Sequence, residues 1–236
     1  MSEITGLEFH TLGSDQWRDL EKLLGKNGAC GGCWCMWWRL SRSEFMKLKG
    51  EDNRKALKKL VDSGKVPGLL AYAKSEPIAW CSVAPRETYP ALERSRILKR
   101  VDEEPVWSIV CFYVAKQYRH KGLTVDLLQA AIDYARSQGA RIVEGYPVEP
   151  KAKLTPDPFA YTGLVSAFRK AGFAEVLRRS CTRPIMRYVI GEAKQKREGH
   201  GGRALGSKPS RERFLRGTLP DPNSARFHVN SLETER

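Results

Sequence analysis

The stretch Val106–Val114, VWSIVCFYV, constrains this chain more than any other part of it. It is almost unbroken in apolar character and rich in β-branched and aromatic residues. A strand with one wet face alternates polar and apolar side chains, so this run fits a central strand buried on both faces. The period then changes. In AKQYRHKGLTVDLLQAA and beyond, Val125, Leu128, Ile132 and Ala135 fall on one stripe, which predicts a helix from about Gly122 to Ser137 that ends near Gly139. Arg141–Tyr146 follows as a further strand. A strand, a crossover helix and a second strand point to a parallel pair inside one sheet.

The flanks supply the rest of that sheet. Leu7–Leu12 reads as a short strand and Asp15–Leu24 as a helix capped by Ser14, with Trp17, Leu20 and Leu24 on one face. Glu51–Ser63 reads as a second helix, with Leu57, Leu60 and Val61 on its stripe and Gly64 as its stop. Gly68–Lys74 and Ile78–Ala84 form an expected antiparallel hairpin joined by Ser75-Glu76-Pro77. Downstream come a helix at about Gly163–Ala171 and strands near Ala174–Arg179 and Pro184–Ile190. The expected fold class is α/β, with a mixed, mostly antiparallel sheet flanked by helices.

With 236 residues the chain suits one medium domain and a tail. The domain is expected over residues 1–190, with a helical N-terminal part at 1–65 and the core at 66–190. From Gly191 the composition turns to Gly, Pro, Ser and Arg without period, and residues 191–236 read as a basic, largely disordered tail. The formal net charge of +14 favours phosphate-bearing partners without choosing among nucleic acid, anionic lipid and a phosphorylated cofactor. The opening MSEITGLEFH has no secretory pattern, and no run is long and apolar enough to span a bilayer. Cys81 and Cys111 sit inside strand-like runs, and Cys30, Cys33 and Cys35 are crowded together, a usage that fits a reducing cytoplasm better than a disulfide framework.

The junction after Val114 carries chemistry. Basic Arg119, His120 and Lys121 precede a glycine, Gly122, where a helix begins, and Leu123 and Thr124 open its first turn. The first N–H groups of a helix lack internal partners and carry partial positive charge, so they suit an anion. Gly122 lets a phosphate approach the backbone, and the Thr124 hydroxyl adds a donor.

Arg119-His120-Lys121-Gly122-Leu123-Thr124 resembles the phosphate-binding motif of the GNAT superfamily, Gln/Arg-x-x-Gly-x-Gly/Ala, with Thr124 in place of the small last residue. Ser166–Val176, SAFRKAGFAEV, is similar to that family's closing helix and strand, with Lys170, Gly172 and Phe173 on the matching positions. The resemblance covers roughly Gly68 to Ile190. It implies an N-acetyltransferase in which a splayed parallel pair holds acetyl-CoA. Phe112, Tyr113 and Val114 then bind the pantetheine arm as an added strand, and Arg119–Thr124 bind the pyrophosphate. A backbone N–H near Cys111 or Phe112 faces the thioester carbonyl, and a primary amine attacks directly. The family often uses a helix Tyr to protonate the leaving thiolate. Here Phe168 stands at that position, so Tyr161 or Tyr146 is the substitute acid, or water is. Glu144 is the candidate base, and a carboxylate simply paired with an Arg is the competing reading.

The stretch ACGGCWCMWWR at Ala29–Arg39 is the other unusual feature. A zinc site needs four ligands, or three and a water, and Cys30, Cys33 and Cys35 have no second pair nearby, so metal binding and a thiol redox role are both minor readings beside an aromatic one. Trp34, Trp37 and Trp38 are candidate walls of an acceptor pocket or an apolar plug on the sheet. The long charged connection Pro85–Pro105 places Arg86, Tyr89, Arg94 and Arg96 where an acidic acceptor or plain solvent would meet them. The acceptor is read as a small-molecule amine or a peptide. Two other readings stay open. One is an acyl-CoA sensor without turnover. The other is a nucleic-acid binder, for which the tail's thin supply of aromatics is a poor fit. A homodimer through edge strands is compatible with the fold.

Overall fold

The computed structural model describes residues 4–150 and 160–191, together with the backbone of Arg226 and Phe227. The expected tail therefore lies almost wholly outside the described residues. The elements run in the order β1 (Leu7–Thr11), α1 (Trp17–Leu24), α2 (Arg42–Lys47), α3 (Glu51–Asp62), β2 (Leu69–Ala73), β3 (Glu76–Pro85), α4 (Pro90–Glu93), β4 (Trp107–Val114), α5 (Leu123–Ser137), β5 (Ile142–Gly145), α6 (Val165–Lys170), β6 (Ala174–Arg178), β7 (Pro184–Val189) and β8 (Arg226–Phe227). They form one mixed sheet in the order β6-β7-β5-β4-β3-β2-β1-β8. Among the described strands only β4 and β5 pair in parallel, with α5 as their crossover. The expected fold class holds.

Several local expectations are corrected. Ser14 does not cap α1; the cap is Gln16, and no side chain bonds the first turn. The β2–β3 hairpin turns on Lys74 and Ser75, both at positive φ (49° and 65°), and Glu76 and Pro77 already belong to β3. Such a two-residue turn twists as the strands do, which a longer link would not. Helix α2 went unread, although Ser41 and Glu44 form a capping box, a pattern visible in the sequence. The expected strand at Leu7–Leu12 is present as β1 and pairs with β2.

Two apolar layers sandwich the sheet. On one face α5 and α6 pack through Leu127, Leu128, Ile132, Val165 and Phe168 onto Ala79, Cys81, Val83, Ile109 and Phe112. On the other face the N-terminal elements pack through Trp17, Leu20, Trp34, Met36 and Leu57 onto Leu70, Trp80, Val110 and Cys111. Strand alternation would send Val110 and Cys111 to opposite faces. The β3–β4 register, however, shifts between Ser82 and Val83: Ser82 faces Cys111 and Val83 faces Ile109, leaving Val110 unopposed. This β-bulge re-aims the strand, so Val110 and Cys111 both face the N-terminal layer and Phe112 faces α5.

Candidate active site

Pairing of β4 with β5 covers only Trp107↔Val143, Ser108↔Glu144 and Ile109↔Gly145. Strand β4 runs on to Val114, while β5 ends at Gly145. The splay opens a cleft of about 920 Å³. On the β3 side the Ala115 N–H donates to the Ile78 carbonyl at 2.9 Å. Alternation then turns the N–H groups of Phe112 and Val114 the other way, into the splay. The Phe112 N–H donates to the Tyr161 carbonyl at 2.6 Å. Segment 160–164 thus lies along β4 and forms the far wall with Ala167.

One end of the cleft is the start of α5. Arg119, His120, Gly122, Leu123 and Thr124 line it, as do Tyr113 and Val114 from β4. Gly122 caps the helix at φ 80°, ψ −5°, a left-handed conformation that glycine adopts without steric cost, and no side chain caps the first turn. His120 is also left-handed, at φ 60°. The Arg119 Nε donates to the Val114 carbonyl at 3.0 Å and ties the loop back to β4. Lys121 is not part of the lining; its Nζ lies 5.8 Å from the centre of the Tyr118 ring. Five of the six motif residues therefore gather at one helix N-terminus, where unpaired N–H groups and the helix dipole suit a phosphate.

The opposite end is made by the N-terminal layer: Ala29, Cys30, Cys33, Trp37 and Phe45, with Cys111 from β4. Trp37 meets Phe45 edge-on at 5.0 Å and is 38% exposed. Trp34 and Trp38 are core residues outside the lining, so only one of the three expected tryptophans reaches the cleft. Trp80 is fully buried and its indole N–H donates to the Cys35 sulfur at 3.0 Å. No carboxylate lines the cleft among the described residues.

Tyr161 lines the cleft between the two ends. Burial raises its pKa, partly offset by the nearby Arg183, so the phenol stays protonated at neutral pH. Tyr146 and Glu144 lie elsewhere. Glu144 is 1% exposed and accepts from Arg86 at 2.9 Å, from Arg187 at 2.7 Å and from the Tyr146 hydroxyl at 2.7 Å. Tyr146 also contacts the Ser108 hydroxyl at 2.8 Å, and burial pushes its pKa well up. Neither residue lines the cleft, and Glu144, buried and held by two guanidiniums and the Tyr146 hydroxyl, lies out of reach of a substrate there. The competing reading of Glu144 as a sheet carboxylate paired with Arg is the one its surroundings match. The loop Pro85–Pro105 likewise turns inward, with Arg86 and Tyr89 buried.

Phe168 is fully buried, edge-on to Phe112 at 6.2 Å and to Phe173 at 4.9 Å. Sequence reading missed Phe45, Tyr118, Ala160 and the cleft-facing role of Cys30, Cys33 and Cys111. The thiols were visible, but their meeting depends on a bulge and on packing between distant segments.

The Acetyltransferase (GNAT) family model matches residues 34–150. A search of curated protein sequences finds no match. Among solved structures, the chain is similar to the PaiA N-acetyltransferase of Thermoplasma acidophilum in complex with coenzyme A, at 15% identity and TM-score 0.45, over 79% of this chain and all of that one. It is similar also to a GNAT-family acetyltransferase of Listeria monocytogenes, at 6% identity and TM-score 0.48, over 78% of this chain and 95% of that one. The chain is a member of the GNAT acetyltransferase family.

Proposed function

We propose that this protein transfers an acetyl group from acetyl-CoA to a primary amine. The observation that carries the reading is the continuity of the cleft: a phosphate-suited helix start at one end, the edge of β4 beyond its pairing with β5 along its length, and an aromatic and thiol-lined chamber at the other. In this reading the N–H groups of the Gly122–Thr124 turn take the pyrophosphate, with Arg119 adding charge and the His120 ring beside it. The pantetheine arm lies along Phe112–Val114. The thioester carbonyl replaces the Tyr161 carbonyl on the Phe112 N–H, which then stabilises the oxyanion as the amine attacks. The carbon–sulfur bond breaks, and Tyr161 gives its phenolic proton to the departing thiolate. The amine arrives uncharged, its proton already lost to water, since no described carboxylate lines the chamber. Trp37 and Phe45 seat an acceptor with an apolar body, as a small amine or a peptide would supply. No helix among the described residues is long and apolar enough to cross a membrane, and six free thiols suit a reducing cytoplasm.

The test is a thermal shift with acetyl-CoA, followed by mass-spectrometric screening of amines and peptides. Binding to the folded state alone raises stability by about 2.7 kcal/mol at a hundredfold excess over Kd. An acetylated product supports the reading. Absence of both shift and coenzyme A release sinks it. Phe168 favours a second reading, an acyl-CoA sensor, which a clear shift with no turnover on any acceptor would support.

A further inference from the structure

Three thiols converge on the chamber. Cys33 and Cys35 come from the segment before α2, and Cys111 comes from β4, with Cys35 and Cys111 76 positions apart. The Cys35 and Cys111 sulfurs lie 3.4 Å from each other. Cys111 and Cys33 line the cleft, and Cys35, only 3% exposed, sits directly behind. The bulge at Val110 is what brings Cys111 to this face. Trp34 and Cys35 hold positive φ values of 43° and 54°, a conformation that non-glycine residues keep only where their surroundings enforce it.

We propose that Cys35 and Cys111 form a dithiol modification site inside the cleft, closed to a disulfide by a small-molecule disulfide that reaches Cys111 through the cleft. The Cys111 thiolate attacks one sulfur of the reagent, whose S–S bond breaks and whose first half leaves as a thiol. The Cys35 thiol gives its proton to solvent and attacks the Cys111 sulfur of the mixed disulfide, and the second half leaves as a thiol. Two protein thiols are oxidised and one small disulfide is reduced to two thiols. The sulfurs close from 3.4 Å to about 2.05 Å. The hydrogen bond with Cys111, ahead of burial, holds the Cys35 pKa well up, so Cys35 is not the thiol that attacks first. Capping Cys111 in the mixed disulfide removes the first of those causes and releases Cys35 to react. The product fastens the wall that carries Cys33 and Trp37 to β4, next to Phe112. That consequence for catalysis rests on the acyltransferase reading; the disulfide does not.

The test incubates the full chain in glutathione buffers of increasing oxidised fraction. The reaction is quenched with N-ethylmaleimide in denaturant, and unreduced peptides are mapped. A linked Cys35–Cys111 peptide is expected, lost in both Cys35→Ser and Cys111→Ser, with the glutathione adduct of Cys111 accumulating in Cys35→Ser. Saturating acetyl-CoA, whose sulfur is blocked as a thioester and so adds no free thiol to the buffer, is expected to slow the linkage at least tenfold. Should a serine variant misfold, the wild-type chain still decides, because the indole N–H of Trp80 bonds Cys35. A tryptophan emission change reversed by dithiothreitol and tracking the linked peptide supports the proposal. Full alkylation of Cys35 and Cys111 in buffers that already glutathionylate exposed Cys30 and Cys181 overturns it. Linkage at an unchanged rate, with acetyl-CoA binding shown by a thermal shift and by protection of Arg119–Thr124 from hydrogen exchange, overturns the route to Cys111 through the cleft; an unchanged rate without such binding counts against the acyltransferase reading alone. The linked peptide forms without any acyl transfer, so its presence in a chain that never turns over counts against the acyltransferase reading alone.

Discussion

At the scale of the residue, the contrast between Tyr161 and Phe168 decides most. Tyr161 lines the cleft and keeps its proton, because burial disfavours the phenolate. Tyr161→Phe is expected to lower kcat by about 10²–10⁴-fold while leaving the affinity for acetyl-CoA unchanged, measured by steady-state kinetics beside calorimetry. Phe168→Tyr is expected not to restore an acid. A Cβ on Gly145 would meet the Phe168 ring at 2.1 Å and one on Gly163 would meet it at 2.8 Å, which shows how tightly two backbones enclose that ring. A hydroxyl there is buried without a partner and costs about 1–3 kcal/mol, readable as a lower denaturation midpoint with no gain in rate. The family-typical position was legible in the sequence; that Phe168 is a core residue was not, because its neighbours come from β4, β5 and the segments on either side of α6.

At the scale of the element, the α5 start and the splay of β4 from β5 make the site. Gly122 sits at φ 80°, where a Cβ is strained. Gly122→Ala is expected to cost about 1 kcal/mol or more in stability and to weaken acetyl-CoA binding more than acceptor binding, as thermal melts and titrations would show. The contact from the Phe112 N–H to the Tyr161 carbonyl makes a second claim testable. If the thioester takes that N–H, acetyl-CoA should protect the end of β4 from hydrogen exchange and alter exchange over 160–164. Unchanged exchange in both segments at saturation would contradict the pose. The strand, the helix and the glycine between them were readable because each rests on local pattern. The bulge at Val110 was not, since a register shift belongs to two strands at once.

At the scale of the whole molecule, a charge network buried at Arg86, Glu144 and Arg187, with Glu93 and Asp102 at its exposed rim, holds the long connection before β4 against the sheet. Arg86 pairs with Glu144 and Glu93, and Arg187 pairs with Glu144 and Asp102. Removing one partner of such a buried pair typically costs about 3–5 kcal/mol, because the other charge stays desolvated. The hydrogen bonds from Arg187 hold the Asp102 carboxyl below the usual carboxylate range. Its folded pKa is depressed, so its stabilising share is present above the unfolded value, about 3.9, and is lost as pH falls through the folded value. Denaturation midpoints of wild type and Asp102→Asn are expected to differ near neutral pH and to converge in acid; a constant difference would show that the pair carries no such linkage.

Sequence alone determined what depends on neighbours along the chain. The buried strand Val106–Val114, the glycine-led start of α5 and the parallel crossover follow from period, composition and backbone freedom, and they point to the cofactor half of the site. Tertiary structure decided the other half. Glu144 fell into a charge network, one tryptophan of three reached the cleft, and Tyr161 and three thiols met there from separate segments. Which side chains share a cavity depends on register, bulge and packing between distant elements, and no local pattern encodes these.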